Sequence, residues 1–183
     1  TLAYQMGVEF DRMLEPFDGP FEKISGFAAA PAGKVTNGTA AAGFLLSHRV
    51  NDAFVAVNRL LAAGEQVYWL KEPLEAGGTA WPAGTMYVPA KPSTGAAVAK
   101  LASDVGLEFA GISEAPSGEA LHLKPIRIGV VDVYGGSMPS GWVQWLFTQF
   151  GFPFEVVYPP TLDAGKLAAS FDVLVFEDGI VPD

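Results

Sequence analysis

Short apolar runs alternate with amphipathic stretches along most of the chain, and this pattern predicts an α/β fold. In the first half, four apolar runs have the length of buried strands: Ala42–Ser47, Gln66–Leu70, Thr85–Pro89 and Leu107–Ala110. Apolar residues at helical spacing predict two helices between them, from Asn51 or Asp52 to Gly64 and from Ser93 or Thr94 to Gly106.

The second half carries the clearest pattern. Three apolar strands are predicted at Ile126–Asp132, Phe154–Tyr158 and Phe171–Phe176. One helix is predicted from Pro139 to Gly151, and a short one is capped by Asp163 and ends near Ser170. Strands that alternate with helices in this way form right-handed crossovers, which predict a doubly wound, mostly parallel sheet. The first half repeats the alternation more loosely.

The pattern also predicts how the chain is organised. Residues 1–33 read as an irregular segment with a weak exposed strand at Tyr4–Phe10, and residues 34–183 read as one α/β domain. A polar, turn-rich stretch at 113–125 marks an internal boundary. Because Phe171–Phe176 is apolar apart from Asp172, we expect the strand to be covered by a neighbour. Self-association could supply one; the favoured route is Phe44–Ser47 or Val67–Leu70 beside it, in one sheet shared by both halves of a monomer. We expect the chain to be a fragment whose sheet is truncated at the C-terminus.

Composition narrows the classes of partner. The net charge is −9 and the eleven basic residues are scattered, so we expect neither nucleic acid nor an anionic membrane surface as a partner. No apolar stretch is long enough for membrane insertion. The absence of cysteine excludes disulfides, thiolate metal sites and a cysteine nucleophile. His48 and His122 lack a Glu at metal-ligand spacing, so no metal site is predicted.

The best-placed candidate site follows the strand Ile126–Asp132, because ligands of open α/β sheets bind beyond the carboxyl ends of the strands. The candidate ligand-binding residues are Asp132, Tyr134, Gly135, Gly136, Ser137, Glu177 and Asp178. The loop has neither the spacing of a phosphate-binding loop nor that of a nucleophile elbow, and no catalytic residue is assigned. A tight turn that requires glycine, and a solvated pair of carboxylates, would explain the same residues.

Three segments resemble a known family: Arg127–Tyr134, Ser140–Phe154 and Leu162–Phe176. Their order of a Gly-Trp pair, an aromatic-rich helix, a Phe-Gly-Phe-Pro segment and a Phe-Asp-Val-Leu-Val strand resembles bacterial zinc carboxypeptidase-like proteins of the metallocarboxypeptidase superfamily, in the region downstream of the catalytic domain. Further similar segments lie upstream, at Gln5–Val8, Asn51–Gly64 and Trp81–Pro89. The region resembles a flavodoxin-like, class I glutamine-amidotransferase-like domain.

The resemblance implies an exported parent, periplasmic or secreted, whose own peptidase domain holds zinc and packs on this region. The family's zinc-binding H-x-x-E pair is not found in this chain, and the amidotransferase cysteine is missing, so the chain itself carries no implied cofactor. The leading hypothesis is therefore a non-catalytic accessory domain that packs on the peptidase domain or binds a peptide or small molecule. The alternative is a small-molecule-binding domain with residual hydrolase activity, in which Asp132, Ser137 and Glu177 converge. Whether the chain is an enzyme stays open.

Overall fold

The computed structural model describes residue 3 and residues 10–27, 31–39 and 42–180. The chain divides into two compact units, residues 1–30 and residues 31–183. In the smaller unit, residues 10–27 form neither helix nor strand, and the ring of Phe17 meets that of Phe21 edge to face at 5.2 Å. Most of the strand predicted at Tyr4–Phe10 lies outside the described residues.

The larger unit contains three sheets among its described residues. Its elements, in chain order, are β1 (Lys34–Thr36), β2 (Gly43–Leu46), α1 (Asp52–Ala62), β3 (Tyr68–Leu70), β4 (Leu74–Ala76), β5 (Thr79–Trp81), β6 (Met86–Pro89), α2 (Thr94–Val105), β7 (Glu108–Ile112), β8 (Ala120–His122), β9 (Ile128–Val131), α3 (Met138–Phe150), β10 (Phe154–Val157), α4 (Pro159–Asp163), a 3₁₀ helix (Leu167–Ala169) and β11 (Val173–Val175). The α/β class predicted from the sequence is confirmed.

Residues 31–124, the N-terminal lobe, form a six-stranded sheet in the order β1-β7-β2-β6-β3-β8. The succession β2-α1-β3-β6-α2-β7 with spatial order β7-β2-β6-β3 is the split βαβ arrangement of ferredoxin-like folds. Both helices cover one sheet face, where Leu60 and Leu101 pack with Phe44 and Leu46. The β4–β5 hairpin covers the other face, where Trp81 packs against the cluster around Leu45 and Tyr87.

The mostly parallel order predicted for this half is wrong. Only β1 and β7 pair in parallel here, and the other four pairings of this sheet are antiparallel. The reason is the connection between β3 and β6, which contains the β4–β5 hairpin and reverses the chain. Strand β6 therefore lies between β2 and β3 and is antiparallel to both. Gly84, at φ +87°, completes this reversal by donating its N–H to Leu70 O.

Residues 125–180, the C-terminal lobe, form a three-stranded parallel sheet in the order β10-β9-β11. Helix α3 packs on the face that carries Phe154, through Phe147. The opposite face carries Val131 and Val157, and Leu162 of α4 and Leu167 of the 3₁₀ helix pack there. Elements therefore cover both faces, and the parallel order predicted for this half is confirmed.

Two further expectations need correction. Asp163 ends α4 rather than capping a helix; α4 begins instead with two prolines, whose fixed φ suits a first helical turn. The single shared sheet is also wrong, because no described strand of the N-terminal lobe pairs with one of the C-terminal lobe. Both proposed neighbours are already flanked: β2 lies between β7 and β6, and β3 lies between β6 and β8, a strand within the 113–125 stretch. The lobes meet instead through α1 and α3, where Asn58 Nδ2 donates to Phe150 O at 3.0 Å.

Candidate functional site

Asp132 is the fixed point of the loop that joins β9 to α3. Its side chain is buried, with 5% of its surface exposed. One carboxylate oxygen accepts the backbone N–H groups of Val133 at 2.8 Å and Ser137 at 3.1 Å, and the other accepts from Gln144 Nε2 at 3.3 Å. A buried carboxylate that accepts three hydrogen bonds holds its surroundings in one arrangement. Asp132 therefore ties both ends of the loop to the second turn of α3.

Ser137 begins α3 as its N-cap. Its backbone is extended, and its hydroxyl oxygen accepts the N–H of Ser140 at 3.2 Å, which satisfies one of the free donors of the first turn. Pro139 occupies a first-turn position that needs no donor. The hydroxyl of Ser137 is thus engaged in starting the helix.

Gly135 and Gly136 provide the turn between these two fixed points. Both have positive φ, +97° and +75°, a region that side chains disfavour. No described atom lies within 4 Å of a Cβ built on either residue, so the turn conformation, not crowding, requires glycine. On the side where a Cβ would lie, the turn is consequently free of described atoms and accessible to a ligand.

Tyr134 projects from the loop, with 73% of its surface exposed. Its ring stacks on that of Tyr158 with centroids 4.8 Å apart and planes 7° apart. Tyr158 directly follows β10, the neighbour of β9, so the pair spans two strand ends. Tyr158 is not among the site residues predicted from the sequence; the signal available was its position at the end of a parallel strand beside β9.

Glu177 and Asp178 follow β11 on the other side of β9. The register pairs Val175 with Val130, which brings Glu177 and Asp132 to the same edge of the sheet, where the three strands end. We call this the carboxyl edge. Neither carboxylate of the Glu177–Asp178 pair forms a side-chain hydrogen bond or ion pair with another described residue. Asp132, Tyr134 and Ser137 thus lie in one loop that is held by hydrogen bonds. Glu177 and Asp178 lie at the same edge of the sheet but form no side-chain hydrogen bond with that loop.

The strand order explains why this edge is the best-placed one. From β9 the chain crosses to β10 on one side and then returns to β11 on the other, so the connections diverge between β9 and β11. Such a divergence leaves a crevice beyond the carboxyl ends, the usual ligand position in open α/β sheets.

The histidines take no part in this arrangement. His122 lies in β8, and its ring stacks on Tyr68 at 4.8 Å. Nδ1 of His48 is buried without a hydrogen-bond partner among the described residues. Across residues 10–27, 31–39 and 42–180, no group of three or more His, Asp or Glu side chains could hold a metal ion.

No helix within the described ranges combines the length and the hydropathy needed to cross a membrane. Comparison with protein-family models, curated proteins and solved structures finds no match to this chain.

Proposed function

We propose that this chain is a non-catalytic accessory module of an exported bacterial zinc carboxypeptidase-like protein, and that it binds a peptide or small molecule at the carboxyl edge. One observation carries the non-catalytic, ligand-binding part of the proposal: Asp132 and Ser137 both hold the β9–α3 loop, while Tyr134 is exposed beside a glycine turn with free space around it. The parent protein is inferred from the resemblance of the three segments 127–134, 140–154 and 162–176. A general base or a nucleophile needs a free reactive group within hydrogen-bond reach of its partner. A rigid loop that presents an aromatic ring suits binding instead.

The strand order of the C-terminal lobe supports the flavodoxin-like, amidotransferase-like part of the proposal. The order β10-β9-β11 corresponds to second-first-third, the order with which flavodoxin-like sheets begin. In this proposal the zinc and the catalytic residues belong to the peptidase domain of the parent, which is also the packing partner. The parent would be periplasmic or secreted.

The hydrolase alternative has less support. It requires Asp132, Ser137 and Glu177 to act together, yet the Ser137 hydroxyl accepts an N–H of its own helix. No described carboxylate or histidine forms a hydrogen bond with that hydroxyl. A serine without a base at hydrogen-bond distance is a weak nucleophile.

The dipeptide Ala-Phe is a suitable probe of binding, since its ring can stack on Tyr134 and its small size fits a loop. In a titration followed by amide chemical shifts, we expect saturable changes confined to residues 132–137 and 176–178. Tyr134→Ala should abolish them, whereas Phe27→Ala, which removes another exposed aromatic ring, should not. Changes that survive Tyr134→Ala, or none at all, would refute binding at this edge.

A peptidase assay tests the non-catalytic part. The chain is supplied with Zn²⁺ and a peptide bearing a free carboxyl terminus, and we expect no turnover above buffer. Turnover that a chelator abolishes would overturn the proposal, and chelator-insensitive turnover lost in Ser137→Ala would favour the hydrolase alternative.

A further inference from the structure

A cavity of about 780 Å³ lies between the N-terminal and C-terminal lobes. Its walls come from α1, the β3 and β6 strands, the connection at 123–126 and residues 148–154. Most of the lining is apolar, and its largest side chains are Phe54, Leu61, Trp69, Met86, Phe152 and Phe154. The volume falls within the roughly 300–1,000 Å³ of small-molecule sites, which are mainly apolar with a few polar groups that orient the ligand.

Two polar side chains of the lining donate to the backbone of α3. Asn58 Nδ2 donates to Phe150 O at 3.0 Å, and Thr148 Oγ1 donates to Gln144 O at 2.8 Å. Two polar groups of the lining have no hydrogen bond among the described residues: the indole N–H of Trp69 and the ammonium of Lys124, which is the one charged group of the lining. Any charged part of a ligand would therefore be oriented by Lys124.

Lys124 differs from most basic residues of this unit. Lys34 pairs with Glu108, Lys91 with Glu65 and Arg127 with Asp172. Lys124 has no carboxylate within 4 Å in the described part of the chain. In a chain of net charge −9, an unpaired cation beside an apolar wall complements an anion.

We propose that this cavity binds a small amphiphilic carboxylic acid, with its apolar body against the aromatic walls and its carboxylate at the ammonium of Lys124. The site is separate from the carboxyl edge and uses none of its residues. Because both lobes supply walls, such a ligand would contact both lobes at once.

Decanoate, kept below its micellar concentration, is the probe, and calorimetric titration is the measurement. We expect one saturable site, and decanol, which lacks the charge, should bind at least about fivefold more weakly. Lys124→Met should weaken decanoate binding about fivefold, the scale of one exposed ion pair. Lys34→Met is the matched control, since it removes the same charge from the edge strand β1 and should leave affinity unchanged.

Thr148→Trp places a large ring in the cavity from α3 and should abolish binding while the unfolding temperature is kept. Trp69 supplies a second measurement that needs no cavity-filling variant: its fluorescence should shift with decanoate, and the shift should vanish in Trp69→Phe. Equal binding of decanol and decanoate, equal losses in Lys124→Met and Lys34→Met, or no saturable binding would each overturn the proposal.

Discussion

The two lobes bury their helices to different depths, although the same alternation of strands and helices predicts both. In the N-terminal lobe, α1 and α2 supply half of a fourteen-residue buried cluster. In the C-terminal lobe, Ser140 is the one buried residue of α3, and the buried cluster has three members. Apolar periodicity gives a helix an apolar face, but this face is buried only where another layer of secondary structure packs against it. We therefore expect the N-terminal lobe to carry most of the stability.

The largest expected effect is a cavity in the N-terminal lobe. Phe109 of β7 is 1% exposed within the large cluster, so Phe109→Ala should lower the free energy of unfolding by about 3–5 kcal/mol. Phe176, which follows β11 and is 47% exposed, provides a matched control, and Phe176→Ala should cost less than about 1 kcal/mol. Urea unfolding followed by far-UV circular dichroism measures both, and equal losses would contradict the comparison.

The next effect tests whether polar anchoring compensates for the small core of the C-terminal lobe. Asp132→Ala leaves two backbone N–H groups without their acceptor and removes one of the two acceptors of the Gln144 amide, so we expect a loss of about 2–3 kcal/mol. Asp178→Ala removes an exposed carboxylate of the same edge and should change stability by less than about 0.5 kcal/mol. If the two variants unfold at the same urea concentration, Asp132 does not anchor the loop.

These effects also separate what the sequence predicted from what it could not. Apolar runs located β2, β9 and α1 to within about two residues, because each buries a continuous face. The short strands β1, β4, β5 and β8 were not predicted, because three residues are too few for a periodic pattern to stand out, even in β1 and β4, where exposed and partly buried side chains alternate. The β4–β5 hairpin sets the strand order of the N-terminal sheet, and no local sequence pattern predicts this effect on the order.

The candidate site shows the same division. Its place at the end of β9 followed from the parallel pattern, because the carboxyl ends of such strands share an edge. The role of Asp132 as an anchor did not follow from the sequence pattern, because it depends on Gln144, twelve residues further along the chain. Tyr158 was missed for a similar reason: its contact with Tyr134 depends on which strand lies beside β9.

A smaller effect concerns acid stability. Hydrogen bonds from the side chain and then the backbone of Arg127 lower the pKa of Asp172 to about 2. Because the pKa is lower in the folded state, the carboxylate contributes stability above its ordinary pKa of 3.8 and loses it as the pH falls toward 2. Asp172→Asn should flatten the fall in unfolding free energy over that interval. Both groups are about half exposed, so added salt should reduce the difference.

The N-terminal lobe offers the matching carboxylate. Hydrogen bonds from Ser93 and Thr94, together with the charge of Lys91, lower the pKa of Glu65 against the opposing effect of burial. Its contribution has the same sign and is lost below its ordinary pKa of 4.5. Glu65→Gln should therefore alter the acid transition even at high salt, because its carboxylate is buried. If salt changes the acid transitions of Glu65→Gln and Asp172→Asn equally, the expected contrast between a buried and an exposed carboxylate is contradicted.

The smallest effect lies on the outer face of α3. Trp142 is 63% exposed, and its ring contacts that of Trp145, which is also exposed, edge to face with centroids 5.9 Å apart. Trp142→Gln keeps a helix-compatible side chain and should change the unfolding free energy by no more than about 0.5 kcal/mol. Leu60→Ala on α1, where the side chain is buried among the helices and the sheet, should cost about 2–5 kcal/mol. Both variants are measured by urea unfolding at two protein concentrations. If the loss of unfolding free energy in Trp142→Gln grows with concentration, copies of the chain cover this face of α3. The contrast in burial between the lobes would then hold only for the separate chain.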